Sequence, residues 1–460
     1  MEKRVRDLTE GSTIRQIIAF SLPLMLGNVF QMLYNTVDSI VVGNFVGSEA
    51  LAAVGSTTMI ANMLVFFFNG FSTGAGVVIA HHFGARDMKY LHEAIETTMT
   101  VTFICGVLFT FLGMGTVRQM LRWMATPENV IDDATIYLRI YFLGFMGLLV
   151  YNMGSGILRA GGDTRRPLYF LILTSVLNII LDLFFVVALK TGIAGVAYAT
   201  ILSQFVSALL VLRLLTGTKD VYRFSFKEMR IDPQILRRIF MIGMPAGIQS
   251  VITAFSNMFV QAYINYFGSD CMAGWGCYNK LDQFIMLPMQ SMAMAATTFV
   301  SQNLGAGKKD RAEQGTRLTV LMALAVTALI ATLLFVFADP ALRLFSSEEA
   351  VIAFGVMFLR TNIFFMLANC INHVLAGSLR GRGDAAGPMV IMISCFVVVR
   401  QIYLFILTHY ISNTPRPVGF GYPVGWMACC IVELTYFYFR WGRGRAMLEK
   451  RREEKAQKAA

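Results

Sequence analysis

The feature that most constrains the fold of this 460-residue chain is an internal repeat. Leu158-Arg159 recurs as Leu379-Arg380, and Gly162-Asp163 recurs as Gly383-Asp384, both at a spacing of 221 residues. Further matches, at this spacing or one residue more, are Gly84-Ala85 with Gly305-Ala306, Pro167 with Pro388, Pro23 with Pro245 and Asn35 with Asn257. Matches over so long a stretch indicate two copies of one structural unit, an arrangement that often encloses a cavity between two helix bundles.

The composition indicates that both copies lie in a membrane. The chain is 56% hydrophobic and 15% charged, with a mean hydropathy of +0.60, which is too apolar for an ordinary soluble protein. Twelve apolar stretches are each long enough to cross about 30 Å of hydrocarbon. They are residues 14–42, 51–80, 94–116, 131–157, 168–189, 193–214, 237–266, 278–304, 313–337, 351–378, 387–409 and 420–439.

These stretches predict an all-α integral membrane protein with twelve transmembrane helices in two pseudo-symmetric six-helix bundles. Because six is an even number, both bundles enter the membrane from the same side, and the repeat is parallel. The predicted parts are an N-terminal bundle (1–215), a polar and basic linker (216–235), a C-terminal bundle (236–440) and a basic tail (441–460).

The distribution of basic residues predicts the orientation. Lysine and arginine are concentrated in the N-terminal segment, the linker, the tail and the loops on the same face of the membrane. This pattern places both termini in the cytoplasm of a multi-pass protein of the inner or plasma membrane. Topology and anionic lipid headgroups therefore explain the net charge of +11, and no nucleic-acid partner is expected. We expect a monomer in the lipid bilayer.

The best functional candidates are ionisable residues inside apolar spans, because each costs several kcal/mol unless it has a partner or water. Asp38 lies toward the end of the first span, and Asp182 lies in the fifth with Asn178 one turn earlier. Thr200 lies early in the sixth span. Two neighbouring carboxylates in a low-dielectric site require a proton or a cation between them. These four residues therefore predict a coupling-ion site for H⁺ or Na⁺.

The C-terminal bundle carries a different set of charges. Its spans contain Lys280, Asp282, His373, Arg400 and Glu433. One interpretation is internal ion pairing of Lys280 or Arg400 with Asp282 or Glu433, the usual way in which a buried charge is accommodated. The other is a polar lining of a substrate cavity.

Uncharged residues complete the predicted substrate cavity. Gln31, Tyr34 and Asn35 lie on the first span near Asp38, and Met153 and Met286 can adapt to varied apolar ligands. His81, His82 and His92 are interpreted as loop histidines, since a zinc site would need a fourth ligand at suitable spacing. No resident metal, cofactor or catalytic residue is predicted.

Several segments together are similar to one transporter family. These are LPLMLGNVFQMLYNTVDSIVVGNFVGSEALAAVG, the Gly84-Ala85 loop, LRAGGDTRRP and its repeat mate LRGRGDAAGP. They resemble the multidrug and toxic compound extrusion (MATE) family over roughly residues 10–440. The resemblance implies export of organic cations and amphipathic drugs in exchange for H⁺ or Na⁺.

Within that family, Asp38 with Asn178, Asp182 and Thr200 resembles the DinF-like branch, whose N-terminal bundle holds the coupling ion. Gln31 and Tyr34 match positions around that site and its substrate cavity. The NorM-like branch has acids on the seventh and tenth helices, whereas the matching segments here, SVITAFSNMFVQAYINYF and TNIFFMLANCINHVL, contain none.

The residues therefore predict a secondary antiporter that is not an enzyme. No G-x-x-x-x-G-K-[ST] motif is present for direct use of ATP, which favours an ion gradient. The alternative is a flippase or exporter of a lipid-linked saccharide or another amphipathic metabolite. The two acids of the N-terminal bundle disfavour an anionic cargo of that kind.

Overall fold

The computed structural model describes residues 7–124, 126–218 and 220–441, and in these ranges the secondary structure is helical with no strand. Eleven helices are long and apolar enough to cross a membrane, or twelve spans if one bent pair of helices is counted as one. The predicted all-α fold is confirmed. The predicted basic tail lies outside the described residues, apart from Trp441.

The first six spans are formed by seven helices. They are α1 (Thr13–Val41), α2 (Ser48–Gly84), α3 (Met88–Trp123), α4 (Glu128–Leu143), α5 (Phe145–Ala160), α6 (Arg165–Asp182) and α7 (Gly192–Gly217). Helices α4 and α5 form the bent pair, at an angle of 48°. Gly144 lies at the break, where a Cβ atom would come within 2.4 Å of the Ile201 side chain, so this position requires glycine.

The remaining helices form the second copy. They are α8 (Pro233–Asn265), α9 (Ser269–Gly305), α10 (Lys309–Val336), α11 (Ala338–Arg343), α12 (Glu349–Asn362), α13 (Met366–Gly381), α14 (Ala386–Ile393), α15 (Arg400–Ile406), α16 (Pro415–Gly419) and α17 (Gly421–Trp441). A π-helical segment, Ser394–Val399, joins α14 to α15. Pro23, Pro245 and Pro288 lie inside α1, α8 and α9, as the sequence predicts.

Repeat-related aspartates begin two equivalent helices. The Oδ1 atom of Asp163 accepts hydrogen bonds from the backbone N–H groups of Arg165 (3.1 Å) and Arg166 (3.2 Å) at the start of α6. Its mate Asp384 accepts one from Gly387 (3.0 Å) at the start of α14. These bonds satisfy backbone donors that have no partner within the helix. Burial raises the pKa of Asp163, although the backbone donors and the Arg166 guanidinium at 3.3 Å oppose the shift.

The linker is bound to one face of α3. Glu96 accepts a hydrogen bond from the backbone N–H of Ser225 at 2.9 Å, and Thr97 Oγ1 accepts one from that of Asp232 at 3.0 Å. One turn earlier, Glu93 forms a salt bridge of 3.0 Å with Arg230. Three side chains within five residues of α3 therefore fix the course of the linker.

The linker contains a buried tyrosine. Tyr222 is 1% exposed, donates a hydrogen bond to Asp220 (2.8 Å) and accepts one from Arg166. Burial, together with the hydrogen bond to Asp220, raises the pKa of Tyr222 to about 12. The phenol therefore stays neutral at physiological pH, and it ties the linker to the start of α6.

The chain divides into two compact units. The first contains Met1–Gly247 and Ser301–Arg311, and the second contains Ile248–Val300 and Ala312–Ala460. In the first unit α2 and α8 cross through two facing G-x-x-x-G motifs, Gly70 to Gly74 and Gly243 to Gly247. A Cβ atom at Gly70 would lie 2.2 Å from the Gly247 nitrogen. Small residues at such crossings allow the two backbones to touch.

A second close approach within the first unit is reciprocal. A Cβ atom at Gly84 would lie 1.9 Å from the carbonyl oxygen of Gln302, and one at Gly305 would lie 1.9 Å from that of His81. Gly84 and Gly305 are repeat mates, and so are His81 and Gln302, at the spacing of 221. Each segment therefore meets the other through equivalent atoms, as a two-fold relation requires.

The N-terminal segment is bound at the same place. Leu8 is 1% exposed, and its backbone N–H donates to the side-chain oxygen of Gln302 at 3.1 Å. The Gln302 amide nitrogen donates to the carbonyl oxygen of Ala160 at 2.7 Å. One buried glutamine thus connects the N-terminal segment, the end of α5 and the end of α9.

The second unit has an aromatic centre. Trp275 is 1% exposed and packs against Phe358 and Tyr422, with ring centroids 4.8 Å and 5.4 Å away. These rings join α9, α12 and α17 around one apolar core.

Candidate functional site

The site begins with two carboxyl groups that face each other. Asp38 on α1 and Asp182 on α6 lie within hydrogen-bonding distance of one another. Asp182 is fully buried, and Asp38 is half-buried. In the described part of the chain, neither Asp182 oxygen nor the Asp38 Oδ1 atom receives a hydrogen bond from a donor. Two such carboxylates repel strongly at low dielectric, so the geometry suits one shared proton or one bound cation.

Two further predicted residues complete the surroundings of the acids. Asn178, 1% exposed, lies one turn before Asp182 on α6, and neither of its side-chain polar atoms has a described partner. Thr200 on α7 is 5% exposed, and it donates a hydrogen bond to the carbonyl oxygen of Val196 at 3.0 Å. Helices α1, α6 and α7 pack together, so they present hydroxyl, amide and carboxyl oxygens to one place.

Oxygen ligands of these kinds are the ones that hard monovalent and divalent cations accept. The same oxygens can also exchange a proton. The arrangement therefore supports binding of a small positive ion, and it contains no nucleophile–base pair that would indicate an enzyme.

Sequence reasoning missed two buried tyrosines in the neighbourhood of the acids. Tyr137 and Tyr141 are stacked one turn apart on α4, with ring centroids 6.5 Å apart, and both are buried. Tyr137 is within electrostatic reach of Asp38, Asp182, Tyr34 and Tyr141. The signal in the sequence is a Tyr-x-x-x-Tyr spacing that puts two phenols on one helix face.

Helix geometry changes immediately beyond each acid. The π-helical segment Val42–Val46 follows α1, and the segment Leu183–Ala188 follows α6. Such segments are rare in proteins as a whole, and those that occur are often at functional sites. They border an open cleft of about 350 Å³ that is lined by Phe45, Val46, Val186, Val187, Lys190 and Gly192. The cleft therefore lies beside the π-helical segments that follow the two acids in sequence.

The other predicted cavity residues of the first unit are dispersed. Gln31 and Asn35 are exposed on α1. Met153 on α5 is 2% exposed and borders a small gap among apolar side chains that include Phe68 and Leu149. Of this group, the structure brings Tyr34 to the acid pair.

Three predicted cavity residues lie on α9 in the second unit. Lys280 is exposed, with its ammonium 5.3 Å from the ring centre of Phe345. Asp282 accepts a hydrogen bond from Tyr278 at 3.3 Å. Met286 lies one turn further along the helix, where its sulfur accepts a bond from Asn369 at 3.4 Å.

The charges of the second unit are not paired with each other. Within the described residues, no salt bridge of 4.0 Å or less joins Lys280 or Arg400 to Asp282 or Glu433, so the interpretation as ion pairs is wrong. Arg400, 2% exposed, instead donates to Ser256 at 2.6 Å and lies over the Tyr422 ring at 4.9 Å. A neutral acceptor and an aromatic face take the place of a carboxylate.

His373 and Glu433 occupy different environments. His373 is half-buried on α13, and Glu433 is fully buried on α17. The three histidines interpreted as loop residues are helical instead. His81 and His82 end α2, and His92 lies on α3. Over the described ranges, no group of three or more His, Cys, Asp or Glu side chains could hold a metal ion.

Comparison with known proteins identifies the chain's relatives. The model of the MatE family matches residues 23–184 and again residues 245–406. The two matched stretches begin 222 residues apart, which confirms the internal repeat.

Individual proteins match over nearly the whole chain. YpnP of Bacillus subtilis, a probable multidrug resistance protein, is 31% identical over 96% of this chain and 98% of its own length. YoeA of the same species, also a probable multidrug resistance protein, is 29% identical over 94% of this chain and 95% of its own.

Solved structures have the same fold. The outward-facing conformation of a multidrug resistance MATE family transporter has a TM-score of 0.90 and 26% identity, covering 98% of this chain and 99% of that one. A crystal structure of MATE in the bent conformation gives the same TM-score, identity and coverage.

Proposed function

The chain belongs to the MatE family of multi-pass membrane transporters, and on that premise we propose that it is an ion-coupled antiporter that exports cationic or amphipathic drugs. Its relatives are described as probable multidrug resistance proteins and as multidrug export proteins, and the chain is a transporter rather than an enzyme. The proposal adds the coupling ion, H⁺ or Na⁺, and the residues that bind it.

The observation that carries the proposal is the facing pair of Asp38 and Asp182. They are acids on two different helices of one unit, at hydrogen-bonding distance, and oxygens of both lack a described donor. Burial of two such groups is unfavourable unless a positive species neutralises them. A structural role alone would not require a second carboxyl group at this position.

The proposed cycle uses one site for two competing positive charges. A proton or Na⁺ that enters from outside binds between Asp38 and Asp182 and cancels one of their two negative charges, with Asn178 and Thr200 as further oxygen ligands. The lower negative charge weakens the attraction for a cationic drug, so the drug is released outward. The protein then opens its binding site to the inside of the cell, and the ion leaves on that side. A ligand can shift this equilibrium only by its different affinity for the two states.

The coupling residues resemble those of the DinF-like branch of the family. We further propose an orientation with both termini in the cytoplasm, based on the concentration of Lys and Arg in one set of loops. The other residues of the predicted substrate cavity stay predictions. These are Gln31, Asn35, Met153, Lys280, Asp282, Met286, His373, Arg400 and Glu433.

The test is transport by the purified protein in liposomes. A fluorescent lipophilic cation is the substrate, and a pH gradient or a Na⁺ gradient is imposed separately. We expect one gradient to drive accumulation in the wild type, and Asp38→Asn and Asp182→Asn to lose this gradient-driven flux. Asp270→Asn is the matched control, since its carboxyl group is exposed at the start of α9.

Two outcomes would overturn the proposal. Gradient-driven flux of normal size in Asp38→Asn would remove the acid pair from the coupling site. Accumulation of a fluorescent lipid-linked saccharide, without transport of the cation, would favour the flippase instead. Which gradient drives transport identifies the ion.

A further inference from the structure

The second unit contains a buried acid that has no part in the ion binding proposed above. Glu433 on α17 is fully buried. Its Oε2 atom is 3.8 Å from the thiol of Cys429, one turn earlier, and its Oε1 atom has no described donor. A thiol is a weak donor, so this environment solvates a carboxylate poorly. A negative charge here would be costly, whereas a protonated carboxyl group would not.

A basic side chain lies nearby without forming a salt bridge. Arg380, near the end of α13, is the cation that acts electrostatically on Glu433. Its guanidinium donates to the side-chain oxygen of Gln249 on α8 at 3.1 Å, and its Nε atom has no described acceptor. The guanidinium is therefore hydrogen-bonded to a neutral amide, although Glu433 is close enough to interact with it electrostatically.

The other titratable groups around Glu433 do not replace Arg380. Cys395, from the π-helical segment between α14 and α15, and Cys430 on α17 face the same region. Arg400 on α15 is engaged by Ser256 and by the Tyr422 ring. His373 lies two turns before Arg380 on α13 and interacts electrostatically with that guanidinium. Among the described residues, Arg380 is the positive group available to Glu433.

The cluster is not a copy of the acid pair in the first unit. At the repeat spacing of 221, the mate of Glu433 is Leu212 and the mate of Asp182 is Tyr403. Arg380 has a basic mate, Arg159. The acid alone is specific to the second copy, so duplication does not explain its presence.

We propose that Glu433 is a second proton-binding site, and that its proton controls the partner of Arg380. With Glu433 protonated, the guanidinium bonds to Gln249 as the structure shows. When the carboxyl group releases its proton to water, the resulting carboxylate draws the guanidinium away from Gln249 and forms the ion pair. A proton event on α17 is thereby transmitted to α8. The proposal goes beyond the exchange site and does not depend on it.

Infrared spectroscopy of the full chain in lipid nanodiscs tests the proposal directly. The carbonyl stretch of protonated carboxyl groups is recorded across a pH series, in a background that carries Asp38→Asn and Asp182→Asn. This background removes the first acid pair, so the result is separate from the outcome for the exchange site. We expect Glu433→Gln to remove one component of the band at neutral pH. The control Glu349→Gln should leave it unchanged, since that carboxylate is paired with Arg343 at 2.7 Å.

A second variant tests the role of the guanidinium without altering Glu433. In Arg380→Gln an ionised Glu433 has no partner, so the Glu433 component should persist to higher pH, by about one to three pH units. A structural defect would not produce a shift in this direction. The proposal fails if Glu433→Gln leaves the band unchanged, or if Arg380→Gln leaves its pH dependence where it was.

Discussion

The crossing of α2 and α8 gives a sharp prediction for Gly70→Ala. A Cβ atom at Gly70 would lie 2.2 Å from the backbone nitrogen of Gly247 and 2.4 Å from its Cα. Ordinary contacts of a Cβ atom begin at 3.4 Å, so the two helices must separate by about 1.2 Å at this point. Since the atoms met are backbone atoms, no side-chain rotation can relieve the overlap.

The expected cost follows from two opposing effects. Inserting a methyl group into a packed region costs about 1–3 kcal/mol, while replacing glycine by alanine inside a helix returns about 1 kcal/mol. The rigid backbone neighbour places Gly70→Ala at the upper end of the first range. We therefore expect a net loss of about 2 kcal/mol. One turn away, a Cβ atom at Gly74 would lie 2.5 Å from the carbonyl oxygen of Ile239. This second close contact limits how far α2 can slide along α8 to relieve the overlap.

Thermal unfolding of the detergent-purified chain measures this loss, with Gly55→Ala as the matched control. Gly55 lies on the same helix, and a Cβ atom there would meet nothing within 4 Å. The control should be as stable as the wild type or more stable, and Gly70→Ala should unfold several degrees lower. If both variants unfold at the same temperature, the backbone contact of α2 with α8 does not exist as described.

Four further predictions concern local contacts. Asp163→Ala should lose about 1 kcal/mol by removing the acceptor at the start of α6, whereas Asp163→Asn keeps an acceptor oxygen. Because burial raises the pKa of Asp163, the native state binds more protons there, and the stability of the wild type relative to Asp163→Asn should fall as pH rises, as paired unfolding curves at acidic and alkaline pH would show. Glu96→Ala should speed tryptic cleavage of the linker, and the exposed Glu228→Ala should not. Gly84→Ala should reduce the yield of folded protein in size-exclusion chromatography, while Gly115→Ala, with nothing within 4 Å, should preserve it.

The sequence predicts the spans well because hydrophobic length is a strong and local signal. The apolar pattern predicts the first span over 14–42, and α1 covers Thr13–Val41. It predicts the fourth as one stretch, 131–157, whereas the structure bends this span at Gly144. That bend depends on the approach of Ile201, a residue distant in sequence, which periodicity cannot reveal. The sequence does not predict the π-helical segments either, since apolar residues fit both α-helical and π-helical turns.

The composition of the two units also depends on distant contacts. Residues Ser301–Arg311, which include the end of α9 and the start of α10, belong to the first unit, whereas the rest of both helices belongs to the second. The bond from Leu8 to Gln302 joins residues 294 positions apart. No local pattern of charge or hydrophobicity indicates such a pairing.

The candidate site is predictable in part. Charged side chains in apolar spans are costly, and this cost marks Asp38 and Asp182 as candidates, together with the charges of the C-terminal bundle. Tyr137 and Tyr141 carry no charge, and tyrosine is common at membrane interfaces, so neither gives a comparable signal. Uncharged residues of the site are found only when the helices that carry them are placed together.

The reciprocal contact of Gly84 and Gly305 has a consequence for the origin of the chain. Because His81 and Gln302 occupy equivalent positions, each segment presents to the other the same patch of backbone. An ancestor of half this length could have joined a second copy of itself through that patch, as a homodimer does. Glycine occupies both equivalent positions of the present chain, where a Cβ atom at either one would lie 1.9 Å from a carbonyl oxygen of the other segment.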